Sequence, residues 1–545
     1  MPPPYRPRNA LETHEVENQP AERGDVDLWS TDRPLTEAVS REGGADRAAD
    51  LAAFGAEAGR AERREEGRLA NRYPPELRAF DRSGRRIDEV SFHPSYHAML
   101  RLGIGAGYPA IAWEGGAGGH VAHAAMVYLM SQVEPGACCP MTMSYAAVPA
   151  LRAAPEIAAA WEPKLLSRIY DPASRPLAEK AGATVGMAMT EKQGGSDVRA
   201  NTTRALRDGD GDGYRLRGHK WFCSAPMSDG FLTLAQAEAG LTCFLVPRWT
   251  PDGARNTLAL MRLKDKLGNR SNASAEIEYQ DTFAWRLGEE GGGIRTIIEM
   301  VHHTRLDTAM APAGLMRAAL AEALWWCEGR LAFQRRLLDQ PLMRSVLADL
   351  ALEVEAAVAL GFRVARAFDE GDRAFARLGV ALAKFRSNKA CPQVTYEAME
   401  CLGGAGYVEE GPMPLYYREA PLNSIWEGSG NVICLDILRS LAREPEARDR
   451  LLAELDAARS ASAAYAAELD TTLRRWPEAV PEAEARWFAE RLATLLAASV
   501  LLRGGDPAVA EGFVATRVAG SGGRVTGALP REVDRNRILA RLAAA

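Results

Sequence analysis

The sequence predicts an α+β protein in which helix predominates and the strands are confined to one segment. Three observations carry this. Apolar residues recur at three- and four-residue spacing up to about Thr184, short alternating runs replace them as far as about Glu289, and helical spacing then returns. Helix and strand kept apart in this way argue against a Rossmann-type alternation. At 545 residues the chain exceeds one core, and about three or four packing units are expected.

Each segment has its own signature. Residues 1–34 read as an extended tail, polar and proline-rich, whose start has no hydrophobic core and so is no secretory signal. Residues 35–183 read as a helical domain, with stretches such as "HVAHAAMVYLMSQVE". Residues 184–290 read as a small β-domain: "VGMAMTE", a hairpin in "RALRDGDGDGYRLRGHKWFCS", then "FLTLAQA", "LTCFLVP", "TLALMRL" and "ASAEIEY". Residues 291–440 return to helix, and 441–545 form a helical appendix. Asp208, Asp210, Asp212 and Gly213 imitate the start of an EF-hand loop. The ninth position is however Leu216 and the twelfth His219, where calcium needs a bidentate Glu, so a hairpin turn is the better reading.

Composition excludes several classes. The chain is 47% apolar and 25% charged, and its net charge of −6 gives no global attraction to nucleic acid. No apolar run approaches the roughly 20 residues that span a bilayer, so no membrane role and a cytoplasmic location are expected. Eight cysteines are scattered and the one close pair, Cys138-Cys139, is adjacent; neither a metal site nor a disulfide framework is expected.

The chemistry lies in a few motifs. In "MTEKQGGSDVRANTTRA" (189–205), Gly194 and Gly195 allow a close backbone approach or a tight turn, and Thr190 and Ser196 add hydroxyls suited to polar heteroatoms or a phosphate. "GHKWFCS" ends a strand with Trp221 and Phe222 beside Ser224, and "LGGAGY" (402–407) and "NSIWEGSGN" (423–431) follow. Glu427 stands between tryptophan and Gly-Ser-Gly. A carboxylate in such surroundings has its pKa raised by desolvation, as a general base near neutral pH requires.

Together these motifs resemble the acyl-CoA dehydrogenase family of flavoproteins, whose T-E-x-x-x-G-S-D, G-x-K-x-(W/F)-I-(T/S), R-x-x-F-G, G-G-x-G-(Y/F) and (Y/W)-E-G-(T/S) patterns appear here in order over about 180–440. "LKDKLGNRSNAS", "YREAPLNSIWEGSGN", "CLDILR" and the appendix itself resemble the branch of that family associated with the response to DNA alkylation. The resemblance implies the family fold: an N-terminal helical domain, a β-barrel-like middle domain and a four-helix bundle, here with an extra C-terminal helical domain. It also implies a homotetramer and FAD. Met189 and Thr190 would approach the flavin ring, Gly195 and Ser196 the pyrophosphate, Phe222 would lie against the ring, and Ser224 would bond its edge. Arg330, Phe333 and Gly404 match residues that family members offer to FAD, Arg330 and Phe333 from a neighbouring subunit, and Ser429 and Asn431 would close over the cofactor.

The implied reaction is α,β-dehydrogenation of an acyl-CoA thioester, with Glu427 taking the α-proton, a hydride passing to flavin N5, and Arg305 as the positive partner of the base. Some members carry the base just before the arginine matching Arg305; here that residue is Thr304, which cannot serve. The chain departs from the family at Gln334-Arg335-Arg336, at Glu400 in place of Gln, and at Ala225 in place of Asn.

The same branch is associated with double-stranded DNA. Residues 441–545 hold 15 Arg, no Lys and 15 acids, a neutral balance, but after residue 511 six Arg face two acids. Arg517 and Arg524, with Arg439 on the "CLDILR" helix, are the candidate phosphate contacts. A metabolic acyl-CoA dehydrogenase without a DNA role, and a non-catalytic DNA-shielding protein, are the alternatives.

Overall fold

The computed structural model describes residues 7–209, 213–477 and 479–542; Asp210 and Asp212 of the EF-hand-like stretch lie outside them. Residues 7–32 carry no helix, yet they are tied down. Asn18 exchanges hydrogen bonds with the backbone of Leu331 (2.9 and 2.7 Å), and Trp325 Nε1 donates to Ala21 O at 3.0 Å.

The N-terminal domain contains α1 (Arg33–Arg41), α2 (Ala48–Ala58), α3 (Ala61–Arg72), α4 (Pro94–Ala106), α5 (Gly119–Ser131), α6 (Pro135–Leu151) and α7 (Pro155–Leu165). Helix α5 is buried on every side, as its lack of a polar face dictates. One expectation is corrected here. The domain is not wholly helical, because β1 (Glu76–Phe80) and β2 (Arg86–Ser91) pair antiparallel. "ELRAF" and "RIDEVS" have no apolar helical stripe, and the hairpin is held from outside by Leu260 N donating to Asp88 Oδ1 at 2.8 Å.

The middle domain contains β3 (Val185–Ala188), β4 (Arg204–Arg207), β5 (Gly213–Ser224), β6 (Gly230–Ala237), β7 (Gly240–Pro247), β8 (Leu258–Leu263) and β9 (Ser274–Leu287). Pairings run in a closed ring, β5–β9–β7–β6–β3–β5, with β3 and β6 parallel and the other ring pairs antiparallel. Phe231, Phe244, Val246, Ile277 and Tyr279 fill the interior. The expected strands are all present.

The bundle is built on α8 (Gly293–Gly329), α9 (Pro341–Asp369) and α10 (Arg373–Cys401), joined by short α11 (Gly404–Tyr407) and α12 (Met413–Glu419), and by α13 (Gly430–Arg443). A tight hairpin, β10 (Leu331–Ala332) with β11 (Arg335–Arg336), links α8 to α9. The C-terminal domain contains α14 (Pro445–Asp456), α15 (Ala463–Arg475), α16 (Ala485–Gly504), α17 (Pro507–Phe513) and α18 (Arg535–Ala540).

The C-terminal domain shares one apolar core with the bundle and the N-terminal domain. Buried ion pairs cross the same junction: Arg363 with Glu454 at 2.8 Å, and Arg541 with Glu355 at 2.6 Å. No helix among the described residues is long and apolar enough to cross a membrane.

Candidate functional site

Strands β3 and β5 position the first half of the site. Met187 is in register with Ser224, and Trp221 N donates to Thr190 O at 2.8 Å, so Met189 lies across from Phe222. The chain then turns at Gly194, whose φ of +138° suits glycine, and folds Gly195 back on Thr190; a Cβ at Gly195 would stand 2.4 Å from Thr190 Oγ1.

Glu191 anchors this turn from inside. It accepts from Lys220 Nζ (2.8 Å), Thr202 N (2.7 Å) and Thr203 N (3.1 Å). Burial opposes its ionisation, but Lys220 and these hydrogen bonds prevail and hold the carboxyl well below its usual range. The result is an open shelf. Phe222 is 45% exposed, Met189, Thr190 and Ser224 are half-buried, and Ser196 is exposed.

The second half is the turn carrying Glu427. Its backbone has φ +57°, followed by Gly428 at +96°, a left-handed pair that a non-glycine residue adopts only when its surroundings impose it. The surroundings are cations on backbone carbonyls. Lys384 Nζ donates to Asn423 O and Gly428 O, both at 2.9 Å, and Arg305 Nε donates to Glu427 O at 3.3 Å. Arg305 is itself held by Asp436 at 2.8 Å, which also accepts from Arg377 at 2.7 Å. The charge of Arg305 is therefore spent mainly on Asp436, and its contact with Glu427 is to the backbone.

The Glu427 carboxylate accepts from Thr304 Oγ1 at 2.8 Å through Oε2. Desolvation pushes its pKa up; the Thr304 hydrogen bond, and then Arg305 and Lys384, pull part of the way back. The Lys384 ammonium is pushed down to about 7, chiefly by burial. Reading from sequence missed both Thr304, dismissed as a non-base, and Lys384. A single lysine in the apolar run "VALAKF" was the available signal for the second.

The remaining candidates lie elsewhere on the bundle. Arg330 donates to Asn18 O at 2.7 Å, Phe333 is 95% exposed at the β10–β11 tip, and Gly404 opens α11 with no atom within 4 Å of where its Cβ would stand. Ser429 and Asn431 begin α13, and Asn431 Oδ1 accepts from Arg486 at 2.8 Å.

The expected basic end patch is corrected by the structure. Arg517 turns inward, paired with Asp349 (2.5 Å) and Glu353 (2.8 Å), while Arg541, Arg537 and Arg531 pair with Glu355, Asp506 and Glu532. Arg439 and Arg524 remain exposed. The sequence count could not show that α9 of the bundle supplies acids to Arg517 and Arg541.

The closed strand ring, the helical bundle and a half-buried glutamate on the turn before α13 define a class, and comparison bears it out: the chain belongs to the acyl-CoA dehydrogenase family. Residues 186–282 and 291–442 match the family's middle and C-terminal domains, and 18–172 match the adaptive response protein AidB N-terminal domain. AidB of Escherichia coli (strain K12) is 49% identical over 81% of this chain and 82% of its own length. Caenorhabditis elegans ACDH-11, solved in complex with C11-CoA, superposes with a TM-score of 0.83 over 98% of this chain and 99% of its own at 24% identity, a likeness of fold. The apo-form of Bd2924 superposes at 0.80 over 90% and 99%, with 28% identity.

Proposed function

We propose that this protein is an FAD-binding flavoprotein of the alkylation-response branch, able to remove the α-proton of an acyl-CoA thioester through Glu427. The observation that carries the reading is the Glu427 carboxylate itself, desolvated and hydrogen-bonded at Oε2 by Thr304. The residues present fit the cofactor: an exposed Phe222 ring beside Met189, with the Thr190 and Ser196 hydroxyls along the same shelf. FAD, when bound, supplies the hydride acceptor.

Everything else falls to the chain. Oε2 is engaged by Thr304, so Oε1 is the oxygen that takes the proton. Burial raises its basicity, and the cations on the Asn423, Glu427 and Gly428 carbonyls hold the carboxylate in place. The test is the visible spectrum of the purified protein before and after anaerobic isovaleryl-CoA. Bleaching supports the reading; a protein that binds no flavin sinks it. Bound flavin that stays oxidised removes isovaleryl-CoA as substrate.

The likeness to AidB supports a role in the response to DNA alkylation. For direct contact with double-stranded DNA the support is Arg439 and Arg524, both exposed. If they bind phosphate, Arg439→Glu lowers duplex affinity and flattens its salt dependence; unchanged values remove Arg439 from that role. The exposed Phe333, Leu342 and Tyr407 support self-association, as a tetramer by family likeness, which light scattering on the eluting protein tests.

A further inference from the structure

The turn that follows the base, Ser429–Gly430–Asn431, is met by two cations from different parts of the molecule. Lys389 comes from α10 and donates to Ser424 Oγ at 2.7 Å; Arg486 comes from α16 in the C-terminal domain and donates to Asn431 Oδ1 at 2.8 Å. A Cβ at Gly430 would stand 3.2 Å from both Lys389 Nζ and Arg486 Nη1.

Neither cation pairs with a carboxylate among the described residues, although most arginines of the C-terminal domain do. Two like charges brought to one point without an acid repel each other, and the Lys389 pKa is lowered first by burial and next by Arg486. An anion relieves that repulsion. The first amides of α13 add donors at the same turn, since Ser429 makes no side-chain cap, and Asn431, whose oxygen accepts from Arg486, keeps its NH2 as a further donor.

We propose that Arg486 and Lys389 bind the pyrophosphate of an adenine-nucleotide ligand, so that the C-terminal domain furnishes part of the nucleotide site. The inference deepens the flavin reading and rests on it for the identity of one ligand. Two molecules in the proposed reaction carry this chemistry, FAD and the coenzyme A thioester. Guanidinium suits it because its planar fork matches two phosphate oxygens. Gly430 keeps the space between the cations clear.

The experiment compares the full-length protein with Arg486→Gln, Arg486→Lys and Lys389→Met, each checked for fold by circular dichroism. Flavin per chain is measured as purified. After flavin removal, Kd for FAD is read from flavin fluorescence and Kd for coenzyme A by calorimetry. Loss of one charge-assisted contact weakens binding by about tenfold. We expect that loss in Arg486→Gln and in Lys389→Met, with Arg486→Lys recovering most of it. A loss confined to FAD assigns the site to the flavin's pyrophosphate, and one confined to coenzyme A assigns it to the thioester's. Parent-like affinities for both ligands in folded variants overturn the proposal. A parent that binds no FAD defeats the flavin reading instead, and the coenzyme A titration still decides this one. Should Arg486→Gln fail to fold, Lys389→Met carries the same comparison.

Discussion

Lys384 Nζ lies 2.9 Å from the Gly428 carbonyl, and its other bond to Asn423 O is of equal length, so one buried ammonium spans the turn that carries Glu427. Replacing it leaves two carbonyls without a donor and the left-handed turn without its clamp. Lys384→Met should keep flavin content but slow α-proton exchange, by up to about a hundredfold if the base shifts by an ångström. Exchange at the parent rate would show that the turn holds itself.

The same lysine predicts a pH dependence. Burial lowers its folded-state pKa from 10.5 to about 7, so between those values the unfolded chain binds more protons than the folded one. Stability therefore rises with pH across that window on account of this group. Urea unfolding at several pH values should show the slope in the parent and a reduced one in Lys384→Met.

Glu427→Gln keeps the shape of the turn and removes the base. It should retain flavin and abolish exchange of the α-protons of a bound acyl-CoA with deuterium, followed by NMR. Exchange that persists would take Glu427 out of that role.

Thr304 favours the charged form of Glu427 by donating to it, so its loss raises the pKa of the base further. In Thr304→Val the rising limb of the exchange-against-pH profile should move to higher pH. A profile that keeps its position would mean that the hydrogen bond does not tune the base.

Asp436 is the shared acid of Arg305 and Arg377 and is held at about 2: burial opposes its ionisation, but the two guanidinium groups prevail. Asp436→Asn leaves two largely buried cations uncompensated and should cost about 3 kcal/mol in chemical unfolding. A change below about 1 kcal/mol would mean that water or a rearranged acid replaces it.

Much of this was legible in the sequence, because local patterning determines local structure. The strand runs read from alternation formed the middle domain, and the acid placed by its apolar and glycine neighbours is a desolvated carboxylate. What escaped was set by contacts between distant residues. The β1–β2 hairpin owes its place to Asp88 and Leu260, which lie 172 positions apart. Thr304 was weighed as a proton acceptor, when its function in the fold is to donate to a residue 123 positions away. Arg517 counted as a free charge until the fold brought Asp349 and Glu353 against it.

Arg541 bonds Glu355 in the bundle and Glu37 in the first helix, the latter across 504 positions of sequence. Synthesis runs in one direction, so Glu355 emerges 186 residues and Glu37 504 residues before their counter-charge. Until α18 has been made, Glu355 must stay hydrated or protonated, and the face of α9 that carries it cannot seal. The bundle is thus assembled in time as well as in space, since Arg541, just past α18, reaches back to acids made before it.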